Sequence, residues 1–178
     1  MLTAVQALLH DEGPALPTME AIARRAGISK RTLYRWWPSR ADVVLESLLE
    51  QVDAHGVYPD SGDLATDLKT QLRSVTALVA DTVVGDTIRT LIADAQGDPA
   101  VARSFRDRYL LPRRAAARAM LGRAVKRGEL DKAVDLEVAV DMLYAPTYLR
   151  LLTGHAPLSD DFADHVVDAC LHGLRPQN

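Results

Sequence analysis

The chain has 178 residues, of which 48% are apolar and 25% charged, with a net charge of −3 and a single cysteine. These values fit one globular domain, or one domain with a small appended module, and exclude a disordered or fibrous chain. Because Cys170 is alone, an internal disulfide framework and a zinc site built from several cysteines are also excluded. No apolar run reaches the ~18 residues of a membrane span, and Met1–Glu12 lack the features of a signal peptide. We therefore expect a soluble cytoplasmic protein with no membrane partner.

The charge is distributed unevenly along the chain. Between Thr18 and Arg40 there are six basic residues and one acid, Glu20, which gives a local charge of +5. The remaining 155 residues carry 15 basic and 23 acidic side chains. A small basic face on an acidic body predicts a local site for a polyanion.

Apolar residues at helical spacing predict a chain of helices, and no two-residue alternation typical of strands is present. In the first part, helices are expected to begin near Leu2, Thr18, Ser29 and Ser39. The first is ended by residues 11–14, the second by Gly27 through a positive φ, and the third by Pro38-Ser39. Residues 55–62, which lack periodicity, predict a linker, so we divide the chain into an N-terminal module at 1–54 and a larger body at 55–178.

Further helices are predicted in the body at 63–80, 82–96, 100–127, 135–153 and 160–174. Pro112 removes a backbone hydrogen bond within 100–127, so that segment is expected to be one bent helix or two. Pro146 lies within 135–153 and predicts a kink, serving either packing or a hinge at a pocket. The pattern as a whole predicts an all-α fold of about nine helices, with a three-helix head and a helical body.

Residues 18–37 have the pattern of a helix-turn-helix, in which a helix and a glycine turn precede a second short helix. The outward positions of the short helix are rich in hydrogen-bond donors, which suit guanine edges and phosphates in a major groove. These donors are Lys30, Arg31, Thr32, Tyr34 and Arg35. Helical spacing places Leu33, Trp36 and Trp37 toward the core, and a direct DNA contact is the alternative for Trp36.

This segment resembles the TetR family of bacterial transcriptional regulators. The resemblance rests on Thr18, Ala23, residues 26–29 (AGIS), residues 32–34 (TLY), Trp37 and residues 38–40 (PSR). It extends from about Leu2 to Leu49. The body resembles tetracycline-repressor-like C-terminal domains in residues 110–121, 126–130 and 144–162.

The resemblance implies a cytoplasmic, nucleoid-associated homodimer that binds a pseudo-palindromic operator in double-stranded DNA. Members of the family act most often as repressors, and a small apolar molecule that binds in the body releases them from DNA. Phosphate contacts are implied for Thr18, Tyr34 and Arg40, and further polar contacts for Ser29 and Thr32. Base contacts are implied for Lys30, Arg31 and Arg35.

Two departures from the family pattern are present. Glu20 replaces a basic residue that reaches bases in other members, so that contact is expected to be missing. Many members also carry a basic arm before the first helix, which here begins near Met1. Either that arm is absent or it lies outside this sequence.

The body contains candidates for two further surfaces. Aromatic and thioether side chains suit a mostly apolar effector pocket, or are plain core. They are Phe105, Tyr109, Met120, Tyr144 and Tyr148. The helices at 135–153 and 160–174 have apolar residues on more than one side, which predicts a four-helix dimer interface. Its candidates are Leu143, Leu151, Phe162, Val166, Ala169 and Cys170.

No cofactor, metal site or catalytic residue is predicted. The last helix carries a stripe of Asp161, His165, Asp168 and His172, which we interpret as a solvent face rather than as metal ligands. The alternative to a DNA-binding regulator is a helical ligand-binding or scaffold protein whose head no longer binds DNA. A small helical enzyme using the Asp161 and His165 stripe is a more remote alternative.

Overall fold

The computed structural model describes residues 2–12, 16–53 and 58–174. Within these ranges the chain forms ten α-helices and one π-helical turn, and it contains no strand. The helices are α1 (Leu2–Glu12), α2 (Met19–Ala26), α3 (Lys30–Trp36), α4 (Arg40–Asp53), α5 (Leu64–Val79), α6 (Val83–Gly97), α7 (Pro99–Phe105), α8 (Leu111–Arg127), α9 (Leu136–Thr153) and α10 (Asp160–Leu174). Since residues 99–127 are helical throughout, counting them once gives nine helices and confirms the predicted fold class.

Local signals in the sequence determine where the helices begin and end. The Thr18 hydroxyl accepts a hydrogen bond from the backbone N–H of Ala21, which caps α2 as predicted. Gly27 ends that helix with φ +67°, a conformation that glycine adopts without strain. Caps of the same kind begin the body helices at Asp63, Thr82, Asp98 and Asp135. The predicted break at residues 13–14, residues 55–57 of the linker and the tail at 175–178 lie outside the described residues.

The predicted interruption near Pro112 takes the form of a π-helical turn. This turn spans Arg106–Leu110 and joins α7 directly to α8. Pro112, the second residue of α8, has no N–H to donate to the carbonyl of Arg108, so the ordinary α-helical ladder is broken there. Pro146, by contrast, lies inside α9 without ending it.

The described residues form two compact units. The first lies within residues 1–55 and 81–110. In it α1 packs against α2 and α4, α2 against α3, and α4 against α6 and α7. The core of this unit contains Val5, Ile22, Leu33, Leu45, Leu48 and Ile88, each at most 1% exposed. By packing, α6 and α7 therefore belong with the predicted head. The functional division at residues 54 and 55 stays a prediction.

The second unit lies within residues 56–80 and 111–178. In it α10 packs against α5 and α9, and α8 packs against α9. Its apolar core includes Leu68, Leu121, Leu130, Leu143 and Val167. Cys170 is buried in the same core, as predicted, and burial raises the pKa of its thiol. The stripe of Asp161, His165, Asp168 and His172 is exposed, which confirms the predicted outer face of α10.

The residues predicted for the dimer interface differ in how far their own chain buries them. Leu143, Leu151, Phe162 and Cys170 are all 9% exposed or less and are covered by their own chain. Such side chains have little surface to offer a partner, so exposed residues suit the interface better, and the assignment of these four stays a prediction. Val166 is half-buried and Ala169 is exposed, and both remain predictions.

Candidate nucleic-acid interface

The short helix α3 is held on the first unit by one side chain. Leu33 is the buried residue of this seven-residue helix, and its side chain is fully covered. Its neighbour α2 buries Met19 and Ile22, while its basic residues Arg24 and Arg25 are exposed. Two short helices fixed by a glycine turn, with the second presenting nearly all of its side chains outward, form a helix-turn-helix.

Every residue predicted to contact DNA lies on the surface. Thr32 is half-buried and the other eight are exposed, namely Thr18, Ser29, Lys30, Arg31, Tyr34, Arg35, Trp36 and Arg40. Seven of the nine fall on α3 or its N-cap, so the structure brings them together on one short helix. In the part of the chain that the structure describes, Arg31 makes no ion pair. Its guanidinium is therefore available to a base edge or a phosphate.

Helical spacing predicted that Trp36 faces the core, but the structure places its side chain on the surface. Its side chain is 65% exposed, and the guanidinium of Arg35 lies 5.4 Å from its ring centroid. The core prediction fails because α3 ends at Trp36, and Leu33 alone covers the narrow contact with α2. Trp37, the C-cap residue, is half-buried. An exposed indole beside an arginine suits contact with DNA sugars or base edges.

Two hydroxyls combine a structural role with a possible contact to phosphate. Ser29 Oγ accepts from the backbone N–H of Thr32 at 3.1 Å, and the two hydroxyl oxygens lie 2.9 Å apart. Thr18 Oγ1 is likewise an acceptor in the cap of α2. A hydroxyl that accepts through its oxygen retains a hydrogen to donate, so capping by Thr18 does not conflict with binding phosphate. In the Ser29–Thr32 pair one hydroxyl donates to the other, which leaves one hydrogen of the pair for a phosphate.

The first residue of α3 forms an ion pair with an acidic side chain. Lys30 forms an ion pair with Glu20, which lies in the first turn of α2. Glu20 is the one acidic residue between Thr18 and Arg40. The pair links the beginning of the recognition helix to the preceding helix across the glycine turn. Sequence reasoning had noted Glu20 only as a missing basic contact.

Arg40 also forms an ion pair, with a residue that is far away in the sequence. Its guanidinium donates to the Asp94 carboxylate at 3.3 Å and to the carbonyl of Leu16 at 3.4 Å. Arg40 and Asp94 border an open cleft of about 330 Å³ lined also by Ser39, Ala41, Asp98 and Val101. Asp94 was not predicted, because no spacing rule relates positions 54 residues apart.

Two further polar contacts fix α4 within the first unit. The Ser104 hydroxyl donates to Asp42 at 3.2 Å, and Arg108 forms an ion pair with Glu46. Ser39, the cap of α4, accepts from the N–H of Asp42. Helix α4, which begins at Arg40, is therefore tied at three points to α6, α7 and the π turn.

The predicted pocket residues fall into both units. Phe105 and Tyr109 stack in the first unit with ring centroids 4.8 Å apart. Met120, Tyr144 and Tyr148 belong to the second, where Met120 is in the core. Burial raises the pKa of the Tyr144 hydroxyl, which hydrogen-bonds with Gln71 and Tyr58. The assignment of these five residues to one effector pocket stays a prediction.

Among the described residues, no helix is long and apolar enough to cross a membrane. The same part of the chain contains no group of three or more histidine, cysteine or acidic side chains placed to hold a metal ion. The exposed donors of α3, together with the glycine turn that follows α2, define a helix-turn-helix DNA-binding protein.

Comparison with known proteins identifies the family. Residues 2–47 match the model of "Bacterial regulatory proteins, tetR family", and residues 58–170 match "Tetracyclin repressor-like, C-terminal domain". The chain is 31% identical to the uncharacterized HTH-type transcriptional regulator YdeS of Bacillus subtilis, over 98% of this chain and 88% of that one. It is 33% identical to the DNA-binding transcriptional repressor TetR of Mycobacteroides abscessus, over 96% of this chain and 89% of that one.

A solved structure agrees with these matches. The crystal structure of the TetR family transcription regulator SCO0332 superposes with a TM-score of 0.84 at 39% identity, covering 98% of this chain and 96% of that one. The chain therefore belongs to the TetR family of bacterial regulatory proteins. It is a DNA-binding transcriptional regulator.

Proposed function

We propose that this regulator is a homodimeric repressor that binds a pseudo-palindromic operator and is released by a small molecule. The observation that carries the proposal is α3, whose exposed side chains include Lys30, Arg31 and Arg35 while Leu33 alone is buried. A helix of this kind enters the major groove, and a dimer aligns two of them with half-sites roughly 34–36 Å apart. Acting on operator DNA, the protein works at the nucleoid in the cytoplasm.

The dimer contact that we propose is an apolar stripe on α9. Val138, Met142, Leu149 and Leu152 are between 41 and 56% exposed, and Ala145 between them is also exposed. Their spacing of four, three, four and three residues is that of a helix–helix seam. We name these five residues the α9 stripe. A second copy of the chain presents the same stripe, so the two surfaces are self-complementary.

For the effector we propose a chemical class and not a particular molecule. Aromatic and thioether side chains such as Met120, Tyr144 and Tyr148 suit a mostly apolar small molecule. Such a molecule shifts DNA binding only by the difference between its affinities for the bound and released states. We propose no cofactor, no metal and no catalytic role for this chain.

Arg31→Ala is expected to relax base preference at one position of each half-site. If the guanidinium contacts guanine O6 and N7 together, its loss costs about 1–3 kcal/mol of discrimination per half-site. The check is fluorescence anisotropy with operator duplexes that differ at single base pairs. Equal weakening on every duplex would instead assign Arg31 to a phosphate.

Arg40→Ala is expected to weaken binding to all duplexes nearly uniformly. A phosphate contact releases counterions, so its loss lowers the slope of log K against log salt by about one per contact removed. The measurement is an anisotropy series at graded salt. Asp98→Asn is a suitable control, because Asp98 lines the same cleft but caps α7. An unchanged slope in Arg40→Ala would remove Arg40 from the DNA contacts.

The function is tested first by anisotropy of the whole protein with DNA from upstream of its own gene and with a scrambled duplex. We expect tight binding with a large preference for the native DNA, retained as salt is raised. Weak and equal binding to both would place the operator elsewhere. An absence of binding at low salt would favour a ligand-binding protein with an inactive head.

A further inference from the structure

The ion pair between Glu20 and Lys30 is the starting point. Glu20 lies in the first turn of α2, and Lys30 is the first residue of α3. Their side chains are 57 and 50% exposed, respectively, so both remain accessible from solvent. The turn between the helices is fixed by Gly27 and by the Ser29 cap, which holds the two side chains at the same end of the recognition helix.

Stability gives only a modest reason for an acid at this place, because an exposed ion pair and an acid in the first turn of a helix each stabilise a protein little. Against this, a carboxylate on a DNA-facing surface repels phosphates. In a segment with six basic residues, Glu20 is therefore costly for general affinity for DNA.

The position favours a role in reading bases. In a helix-turn-helix, the residues at the N-terminal end of the recognition helix meet the base edges. Lysine there donates to guanine O6 and N7, and a carboxylate accepts from the N4 amino group of cytosine. The Glu20–Lys30 pair thus presents a donor beside an acceptor. Within one G·C pair, the O6 acceptor likewise lies beside the N4 donor in the major groove.

We propose that Glu20 and Lys30 act as one unit that reads a single G·C base pair in each half-site, with Lys30 on guanine and Glu20 on cytosine. Glu20 is then a specificity-determining residue. It lowers affinity for DNA in general and restores it where a cytosine amino group faces the carboxylate. This inference rests on the proposed function, because it requires sequence-specific binding of an operator.

The experiment begins with operators that the full-length wild-type protein selects from a pool of random duplexes. Affinities are then measured by anisotropy at constant salt for the selected operator and for symmetric single-base-pair variants of it. The proteins compared are the wild type, Glu20→Ala, Glu20→Gln and Lys30→Met.

At one G·C pair per half-site, the alanine variant should lose about fivefold or more of the wild-type discrimination. Lys30→Met should reduce discrimination at the same base pair. Glu20→Gln should shift preference toward adenine, which glutamine reads through N6 and N7.

Asp11→Asn supplies the matched control. Asp11 and Arg25 form another ion pair of the first unit, with both side chains 49% exposed, on α1 and α2 rather than at the start of α3. The control also removes one negative charge, so it should change affinity for all duplexes alike and leave the pattern of discrimination intact.

The outcomes separate the two proposals. If the wild type selects a sequence and the Glu20 variants keep its discrimination at every position, changing affinity only as Asp11→Asn does, the reading unit is refuted while the proposed function stands. If the wild type selects no sequence, both proposals fail. Circular dichroism melts of each variant exclude loss of fold as the cause.

Discussion

Leu149→Glu is expected to convert the dimer into a monomer at micromolar concentration and to weaken operator binding by about a hundredfold or more. Leu149 is 56% exposed in the α9 stripe, so the change removes nothing from the core of its own chain. In the dimer, two carboxylates would be brought into an apolar seam without partners, which is strongly unfavourable. Loss of the second recognition helix removes the gain from simultaneous binding to two half-sites, typically 10²–10⁴-fold.

Analytical ultracentrifugation measures the first effect and anisotropy the second. Leu111→Glu is the control, because Leu111 is 48% exposed in the same unit but lies outside the stripe, at the start of α8. It should remain a dimer with the wild-type affinity. A Leu149→Glu protein that sediments as a dimer would show that the partner binds elsewhere, and the half-buried Val166 with the exposed Ala169 on α10 would be the next surface to test.

Leu33→Ala is expected to lower the free energy of unfolding of the first unit by about 2–5 kcal/mol. Leu33 is fully covered and is the buried residue by which α3 is anchored. Truncation leaves a cavity beneath a helix in which no other side chain is fully buried, so the recognition surface should loosen as well. We expect loss of operator binding at temperatures where the rest of the chain is still folded.

Chemical denaturation at fixed protein concentration checks this prediction. Trp36→Ala is the comparison, because it removes a larger side chain from the same helix but from its exposed side. Its free energy of unfolding should stay within about 0.5 kcal/mol of the wild type. A cost below 1 kcal/mol for Leu33→Ala would mean that contacts other than Leu33 hold α3 in place.

The sequence was sufficient for the helices because their ends are encoded locally. Thr18, Ser29 and Asp135 cap helices through their own side chains, and Gly27 and Gly154 end helices at positive φ. Such signals involve residues three or four positions apart and do not depend on the rest of the fold. The beginning of α10 was predicted to the residue for the same reason, because Ser159 Oγ accepts from the N–H of Phe162.

The sequence was insufficient for deciding which side of a helix faces the core. Helix α9 is apolar nearly all round, so periodicity could not separate the face bearing Leu143 and Leu151 from the stripe bearing Met142 and Leu149. Trp36 was misplaced on α3 because a seven-residue helix has too few positions for spacing to decide. In both cases tertiary packing, and not local pattern, determines burial.

Only some residues of the candidate interface could be predicted from the sequence, again because tertiary packing decides the rest. The exposed donors of α3 follow from sequence, since they belong to one short motif. The acids that engage Lys30 and Arg40 do not, because Glu20 acts across a turn and Asp94 comes from a distant helix. Ion pairs between elements become visible only when the elements have been placed.

The single anchor of α3 has a consequence for how this protein could change over evolutionary time. Since one side chain of the seven is buried, mutations at the other six positions alter the surface presented to DNA at little cost to folding. Descendants of such a gene could acquire new target sites stepwise while keeping a stable head. A mutation at position 33 has no such freedom, and we expect leucine or a close isostere to persist there across lineages that recognise unrelated promoters.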